Sequence, residues 1–375
     1  MSLLFTDGLH TYSSISDLDT INSGPWELVN SAHLELLPNG GQEGQPCVQF
    51  QPDQDDPVIL LSDDVYCHMG LPWTHRQNNN IVGFMFKLDS WPSYALDTVF
   101  HNIVCAQARE DPAYYGISLG FYNTGEIGVH SQGDGSRYRS GFFIVPGVWY
   151  HISFKFGVFN PPDGVAQVRV NGGLILNLGA AEGFDGYYTY TTDQEKIMFG
   201  LNENISSNPY GMTYRISDIY VQDDLNGELD DHLSRDTRVT YLPVESEGAN
   251  IDFTPTTGTN NALMLDEIVK HDHDTTRNRS SSVGAKDLFN VASLNFPTGE
   301  IFGMNVRMVA NKGSATARTM NLIQYSNGSE EVSSSLTLTQ DYEEYNASFS
   351  INPDTGLTWT IAEFANAQIG YKVET

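Results

Sequence analysis

An antiparallel, all-β architecture in two domains is predicted by three observations. Short runs with period-two alternation recur along the chain, helical periodicity is scarce, and turn-forming residues separate the runs at close intervals. In the clearest run Tyr150, Ile152, Phe154 and Phe156 alternate with His151, Ser153 and Lys155. Such alternation marks an antiparallel strand with one face on a core. Pro146 and Gly147 break the chain before it, and Asn160-Pro-Pro-Asp-Gly164 turns it afterwards. The return strand, Val165 to Val170, stops at Asn171-Gly172-Gly173. Asn-Gly favours a tight hairpin because both positions tolerate positive φ.

Further strands are expected at Cys47–Gln51, Val58–Leu61, Ile81–Leu88, Thr98–Ala106, Tyr115–Tyr122, Ile127–Ser131, Gly141–Val145, Ile197–Leu201 and Tyr214–Gln222. The acidic stretch Asp223–Asp231 reads as a linker, which gives domains of 1–225 and 226–375. Beyond it, runs at Arg238–Val244, Val291–Leu294, Glu300–Val309, Thr319–Tyr325, Ser333–Thr339, Glu344–Ile351 and Gln368–Val373 predict a second, smaller β-sandwich. A single helical turn is expected at Ala362–Ala367.

Of the 375 residues, 47 are acidic and 19 basic, for a formal net charge of −28. That balance argues against unspecific binding of nucleic acid or an anionic membrane, since both need a basic footprint. Cys47, Cys67 and Cys105 form neither a disulfide framework nor a zinc pair and read as reduced core residues. The start of the chain lacks signal-peptide character, and no run reaches the roughly 18 apolar residues of a membrane span. Synthesis in a cytoplasm without membrane insertion is expected.

Four motifs in order carry a family likeness: Gly147-Val-Trp149-Tyr150-His151-Ile152, Val168-Arg-Val-Asn171-Gly172, Lys196-Ile-Met-Phe-Gly200 and Ile216-Ser-Asp218-Ile219-Tyr220-Val221. Together they resemble the concanavalin A-like, laminin-G-type jelly roll, in which the tryptophan packs between the sheets. The C-terminal part carries Asp236-Thr-Arg238-Val239, Thr254-Pro-Thr-Thr-Gly258, Leu265-Asp-Glu267, Asp272-His-Asp-Thr-Thr276 and Lys286-Asp-Leu-Phe289. It resembles a β-sandwich module of tailed-bacteriophage virion proteins, with Arg235 and Phe253 departing from the glycine and tryptophan usual there. The resemblance implies a concanavalin A-like jelly-roll sandwich followed by a smaller β-sandwich. It also implies a virion location.

Candidate sites are few. No Glu-x-Asp-x-Glu run, the paired-carboxylate signature of glucanases with this jelly roll, occurs in the chain. No Ser/His/Asp or Cys/His arrangement and no P-loop is present either. No enzymatic activity is therefore expected. His271-Asp272-His273-Asp274 reads as a solvated loop or as a weak divalent-metal site, His and Asp at i and i+2 projecting to one side of an extended chain. His68 and His75 near Trp73 read as a satisfied turn or a ligand pocket. Trp73, Tyr114, Tyr115, Tyr187, Tyr188 and Tyr190 lie in or beside loops, as aromatic platforms for a sugar or as subunit-interface residues. The expected function is a non-catalytic structural protein of a tailed-phage virion (tail, collar, fibre or capsid decoration), contacting other virion proteins and copies of itself. The alternative is host-glycan binding through the lectin-like domain.

Overall fold

The computed structural model describes the chain apart from residues 1–2, 11, 19–25, 30–33, 52–65, 73–79, 91–99, 108–114, 132–135, 158–164, 180–183, 185–195, 203–212, 224–236, 266–275, 295–297 and 314. The chain is built almost wholly of antiparallel strands, as expected, and contains one short α-helix, Ile361–Phe364, among the described residues. It divides into two compact units, Asp7–Val239 and one made mainly of Thr240–Thr375. The expected linker lies largely among residues 224–236, outside the described residues.

The first unit is a two-sheet sandwich. Its back sheet runs Gly173–Leu178, Val165–Val170, Trp149–Gly157, Asn80–Ser90, Thr213–Asp223, Cys47–Phe50, Leu34–Leu37. Its front sheet runs Arg137–Phe143, Glu126–Ser131, Tyr115–Tyr122, Phe100–Gln107, Lys196–Asn202, Tyr66–Pro72, Glu27–Val29. Along the sequence the chain passes repeatedly from one sheet to the other, the jelly-roll pattern.

Aromatic contacts fix which faces meet. Phe84 of the back sheet lies edge-on to Phe199 of the front sheet at 5.3 Å, and Phe86 meets Phe121 at 6.0 Å. Removing a buried phenylalanine of this kind costs roughly 3–5 kcal/mol. Register then assigns the neighbours, because partners directly opposite share a face. Tyr150 pairs with Phe86 and Ile152 with Phe84, so both point inward. His151 pairs with Met85 and Trp149 with Lys87, so both point outward.

Trp149 is therefore not the inter-sheet tryptophan that the family likeness implies. Strand parity places it on the outer face, with the Lys87 ammonium 6.0 Å from its ring. Among the described residues the fully buried tryptophan of this sandwich is Trp26, whose indole donates to Asp7 at 2.8 Å and whose ring meets Phe199 at 5.9 Å.

The 149–157 strand is also buried on both faces, not on one. Ser153, His151 and Lys155 keep 0, 1 and 6% exposure. Part of the cover is Tyr220. Register jumps from Ser217 opposite Met85 to Tyr220 opposite Gly83, so two residues, Asp218 and Ile219, face one. This β-bulge, with Asp218 at φ 51°, re-aims Tyr220 over the sheet. The phenol lies where a Cβ on residue 83 would sit 1.9 Å from its ring, so only glycine fits there. It stacks on His151 at 6.0 Å and shares a 3.1 Å hydrogen bond with its Nε2. The Asp218 carboxylate accepts from the Val239 amide at 3.0 Å and the Ser217 hydroxyl at 2.9 Å, while burial pushes its pKa up.

The expected hairpin is present, with Asn171 and Gly172 at φ 49° and 82° between Val170 and Gly173. Its earlier turn, 160–164, lies outside the described residues, as does Val58–Leu61. The strand expected at Gly141–Val145 starts earlier, at Arg137, because Gly141 at φ 73° sits in a register break near the strand's end rather than opening it. Cys47 and Cys105 are buried free thiols pushed up to about 12 by desolvation, as core cysteines should be.

In the second unit one sheet runs Val244–Ile251, Lys286–Val291, Gln368–Val373, Thr319–Ser326, Ser329–Val332. The strand pair Met304–Ala310 and Glu343–Phe349 adds Val306 and Phe349 to a core with Phe289, Leu322 and Tyr371. Of the strand expected at Arg238–Val244, residues 238–243 are irregular, and pairing begins at Val244. The helical turn is fixed by a capping box between Thr360 and Glu363.

Asp287 is the polar hub of this unit. It is fully buried and accepts four hydrogen bonds: from the Asp252 and Phe253 amides at 2.7 and 2.9 Å, from the Asn261 amide group at 2.7 Å, and from the Tyr371 hydroxyl at 3.3 Å. Burial and the Asp287 charge hold the Tyr371 hydroxyl well above its ordinary pKa. Two segments singled out in the sequence, around Thr254 and around Lys286-Asp-Leu-Phe289, thus meet in one structural network.

Asp287→Ala leaves four donors without their acceptor and is expected to destabilise the chain by on the order of 3 kcal/mol or more, read as a lower urea midpoint. His101 gives a pH signature. It lies on the inner face, donates through Nε2 to Asn123 at 2.6 Å, and is held below the ordinary histidine pKa chiefly by burial. Its neutral form is the one folding favours. The stability it supports is present above the unfolded-histidine pKa of about 6.5 and is lost as pH falls through the lower folded value. Melting temperatures of wild type and His101→Gln should diverge in slope below that point, the variant losing less.

Candidate functional site

One solvent-facing side-chain cluster of the first unit brings together guanidinium, carboxylate, imidazole and phenol. It lies on the outer face of the front sheet, at the edge strand Arg137–Phe143. Tyr138 pairs with inward-facing Val129, while Arg137 pairs with His130 and Arg139 with Gly128. Two arginines at alternate positions thus project from the same face. Phe143 pairs with Glu126 and keeps 53% exposure, whereas Phe142 turns inward onto Tyr150 at 5.9 Å.

Beneath the arginines lies a rigid base. The Arg139 guanidinium sits 3.8 Å above the Tyr122 ring and bonds Glu126 at 2.9 Å. Glu126 Oε1 also accepts from the Gly141 amide at 2.8 Å, so one carboxylate fixes both the arginine and the backbone of the edge strand. Tyr122 and His130 flank Phe100, edge-to-face at 5.2 and 6.0 Å. Desolvation pushes the Tyr122 hydroxyl above its ordinary pKa, while Arg139 and Arg137 pull it back. The phenol therefore stays protonated near neutrality and serves as a platform.

Glycine makes the room. A Cβ at position 128 would come within 2.9 Å of the Tyr122 ring, 3.2 Å of Phe100 and 2.6 Å of the Tyr138 carbonyl. Deeper on the same face, Cys105 and Met198 form a small apolar cluster of their own, and register sets Ser118 between Cys105 and His130. The exposed chemistry is then Arg137, Arg139 and Phe143, with half-buried His130 beside Arg137. Guanidinium groups hold carboxylates in a planar fork, an aromatic ring offers a stacking surface, and imidazole exchanges protons near neutral pH.

None of these residues stands among the sequence candidates. Trp73, Tyr114, Tyr187, Tyr188, Tyr190 and the run His271, Asp272, His273, Asp274 lie outside the described residues, as does His75. Tyr115 opens a front-sheet strand opposite Gln107, its side chain outside the described set. Among the described residues no group of three His, Cys, Asp or Glu side chains is placed to hold a metal, and no helix is long and apolar enough to cross a membrane. The available signal was Arg137-Tyr-Arg139, basic residues two apart in a run placed four residues too late.

No family model matches the chain, and no curated protein matches it in sequence. Solved structures resemble it at low identity. An endo-β-1,4-glucuronan lyase from the fungus Trichoderma reesei has 10% identity, a TM-score of 0.42, and coverage of 59% of this chain and 96% of its own. A marine alginate lyase from Aplysia kurodai has 9% identity, a TM-score of 0.43, and coverage of 60% and 100%. The binding domain of Paraclostridial Mosquitocidal Protein 1 has 10% identity, a TM-score of 0.40, and coverage of 77% and 75%. Polysaccharide lyases recur among these neighbours, and none of the structures named is a virion component. The expectation of a non-catalytic structural protein of a tailed-phage virion, without enzymatic activity, is corrected accordingly. The phage-module likeness and the virion partners find no support in these neighbours either.

Gly128→Ala is expected to push Tyr122 and Phe100 off the sheet, lowering stability by about 1–3 kcal/mol. Intrinsic tyrosine fluorescence and the thermal midpoint would register the shift together, and an unchanged midpoint would contradict the close packing.

Proposed function

We propose that this chain is a carbohydrate-active protein that takes an acidic polysaccharide across the outer face of the front sheet. One observation carries the proposal: Arg137 and Arg139 project from alternate positions of one strand, beside His130 and the exposed Phe143 ring, in a chain of net charge −28. Against that acidic background a paired cationic strip is a local exception. Arg139 is pinned by Glu126 and Tyr122, so its position is set before any ligand arrives. Preorganised guanidinium groups lose little freedom on binding.

The roles follow from chemistry. Arg137 and Arg139 take the carboxylates of a uronate chain, and Phe143 stacks on the less polar face of a sugar ring. A guanidinium on a uronate carboxylate makes the proton on the adjacent ring carbon more acidic. His130, beside Arg137, is the base that takes that proton in this reading. The electron pair left on carbon then forms a double bond as the glycosidic carbon–oxygen bond breaks, and the departing oxygen takes a proton from solvent.

The test is a panel of polyuronates with a neutral glucan as control. Binding is followed by calorimetry, and cleavage by the ultraviolet absorbance of the unsaturated product. Wild type is expected to bind and shorten at least one polyuronate and to ignore the glucan. Arg137→Ala should weaken binding about tenfold to a hundredfold, the loss of one charge-assisted contact. His130→Asn should bind normally and not cleave. Equal binding by wild type and Arg137→Ala would sink the assignment.

A further inference from the structure

The second unit carries an open depression of about 420 Å³ lined by Asp252, Thr254, Arg279, Ser280, Ser281 and Ser282. A volume of that size admits a small ligand. Its walls are fixed from behind. The Asp252 amide bonds Asp287, and Asp252 Oδ2 accepts from the Lys286 amide at 3.1 Å. Thr254 and Arg279 face each other across a two-residue strand pair, and the Ser282 amide donates to Ser280 Oγ at 3.2 Å, closing a tight turn. Every lining residue is polar, and together they bring one guanidinium, one carboxylate and four hydroxyls.

The state of Arg279 is the telling feature. Arg139, Arg215 and Arg307 each bond a carboxylate. The Arg279 guanidinium forms no hydrogen bond or ion pair with a described residue, although acidic residues outnumber basic ones 47 to 19. Asp252 lines the same depression, but its Oδ2 is engaged by backbone rather than by Arg279. A cation and an acceptor held apart in one hydroxyl-lined depression suit a ligand that carries both an acid group and hydroxyls.

We infer that this depression is a second, separate binding site, for a single anionic sugar unit. Arg279 takes the acid group, with Ser281 and Ser282 hydroxyls donating to the same oxygens, while Asp252 accepts from a sugar hydroxyl. The shared chemistry is an acid group on a sugar, whether carboxylate or sulfate ester. The site stands independently of the front-sheet face.

The experiment titrates the full chain with glucuronate, glucose 6-sulfate, glucose and inorganic sulfate, observed by ligand-detected NMR. One or both anionic sugars are expected to bind, the successful arm naming the acid group. Arg279→Ala should weaken that binding about tenfold or more. Arg137→Ala should leave it unchanged, which separates this site from the front-sheet one. The Arg279 side chain bonds no described residue, so its variant should melt as wild type does. Equal affinity of wild type and Arg279→Ala, glucose binding as well as glucuronate, or sulfate ion binding as tightly as glucose 6-sulfate would each overturn the inference.

Discussion

Phe84 and Phe86, two positions apart on the central back-sheet strand, reach across to Phe199 and Phe121. Everything else in the first unit is referred to that contact. Once those four rings meet, alternation fixes the direction of the residues on both sheets between the bulges. A slip of one residue in any strand would exchange its core set for its outer set. Trp149 shows the strength of this constraint: a large aromatic side chain faces outward because its strand must turn Tyr150, Ile152 and Phe154 in. Arg137 and Arg139 stand on the outer face for the same reason.

Buried carboxylates do the corresponding work for irregular backbone. Asp7 holds Trp26 and Tyr12, Asp218 holds the bulge and Val239, and Asp287 holds the loop at 252–253 with Asn261 and Tyr371. Each accepts several donors, which is what makes a carboxylate tolerable inside a protein. Such groups look like candidate chemistry in a sequence. In the structure Asp218 and Asp287 are fasteners, and the exposed functional chemistry lies elsewhere.

Much of the fold was legible because strands advertise themselves by alternation. The 150–156 run, the Asn171-Gly172 turn and the strands at 115–122 and 368–373 stand where expected. Three things were not legible. Burial of His151 draws on Tyr220, brought over it by a bulge that no local pattern announces. The edge strand 137–143 hides its start behind Gly141, whose positive φ mimics a strand boundary. The front-sheet site depends on pairing between strands, since Tyr122, Glu126, His130 and Arg139 come together only through register. Loop aromatics stand out in a sequence because loops so often carry function, whereas a site on a sheet face leaves only a faint mark in each strand.

Among the described residues the Arg137–Phe143 strand is also an open sheet edge, with pairing on one side only in the front sheet. An unpaired edge is a template onto which another chain can add, and a run of such additions becomes a fibre. Two positive charges at alternate positions, a left-handed glycine and a break in register make this edge a poor template. Like charges would face one another in any self-addition, and the bend at Gly141 would interrupt the ladder. The residues proposed to take an anionic polymer therefore also make backbone self-addition at this edge unfavourable.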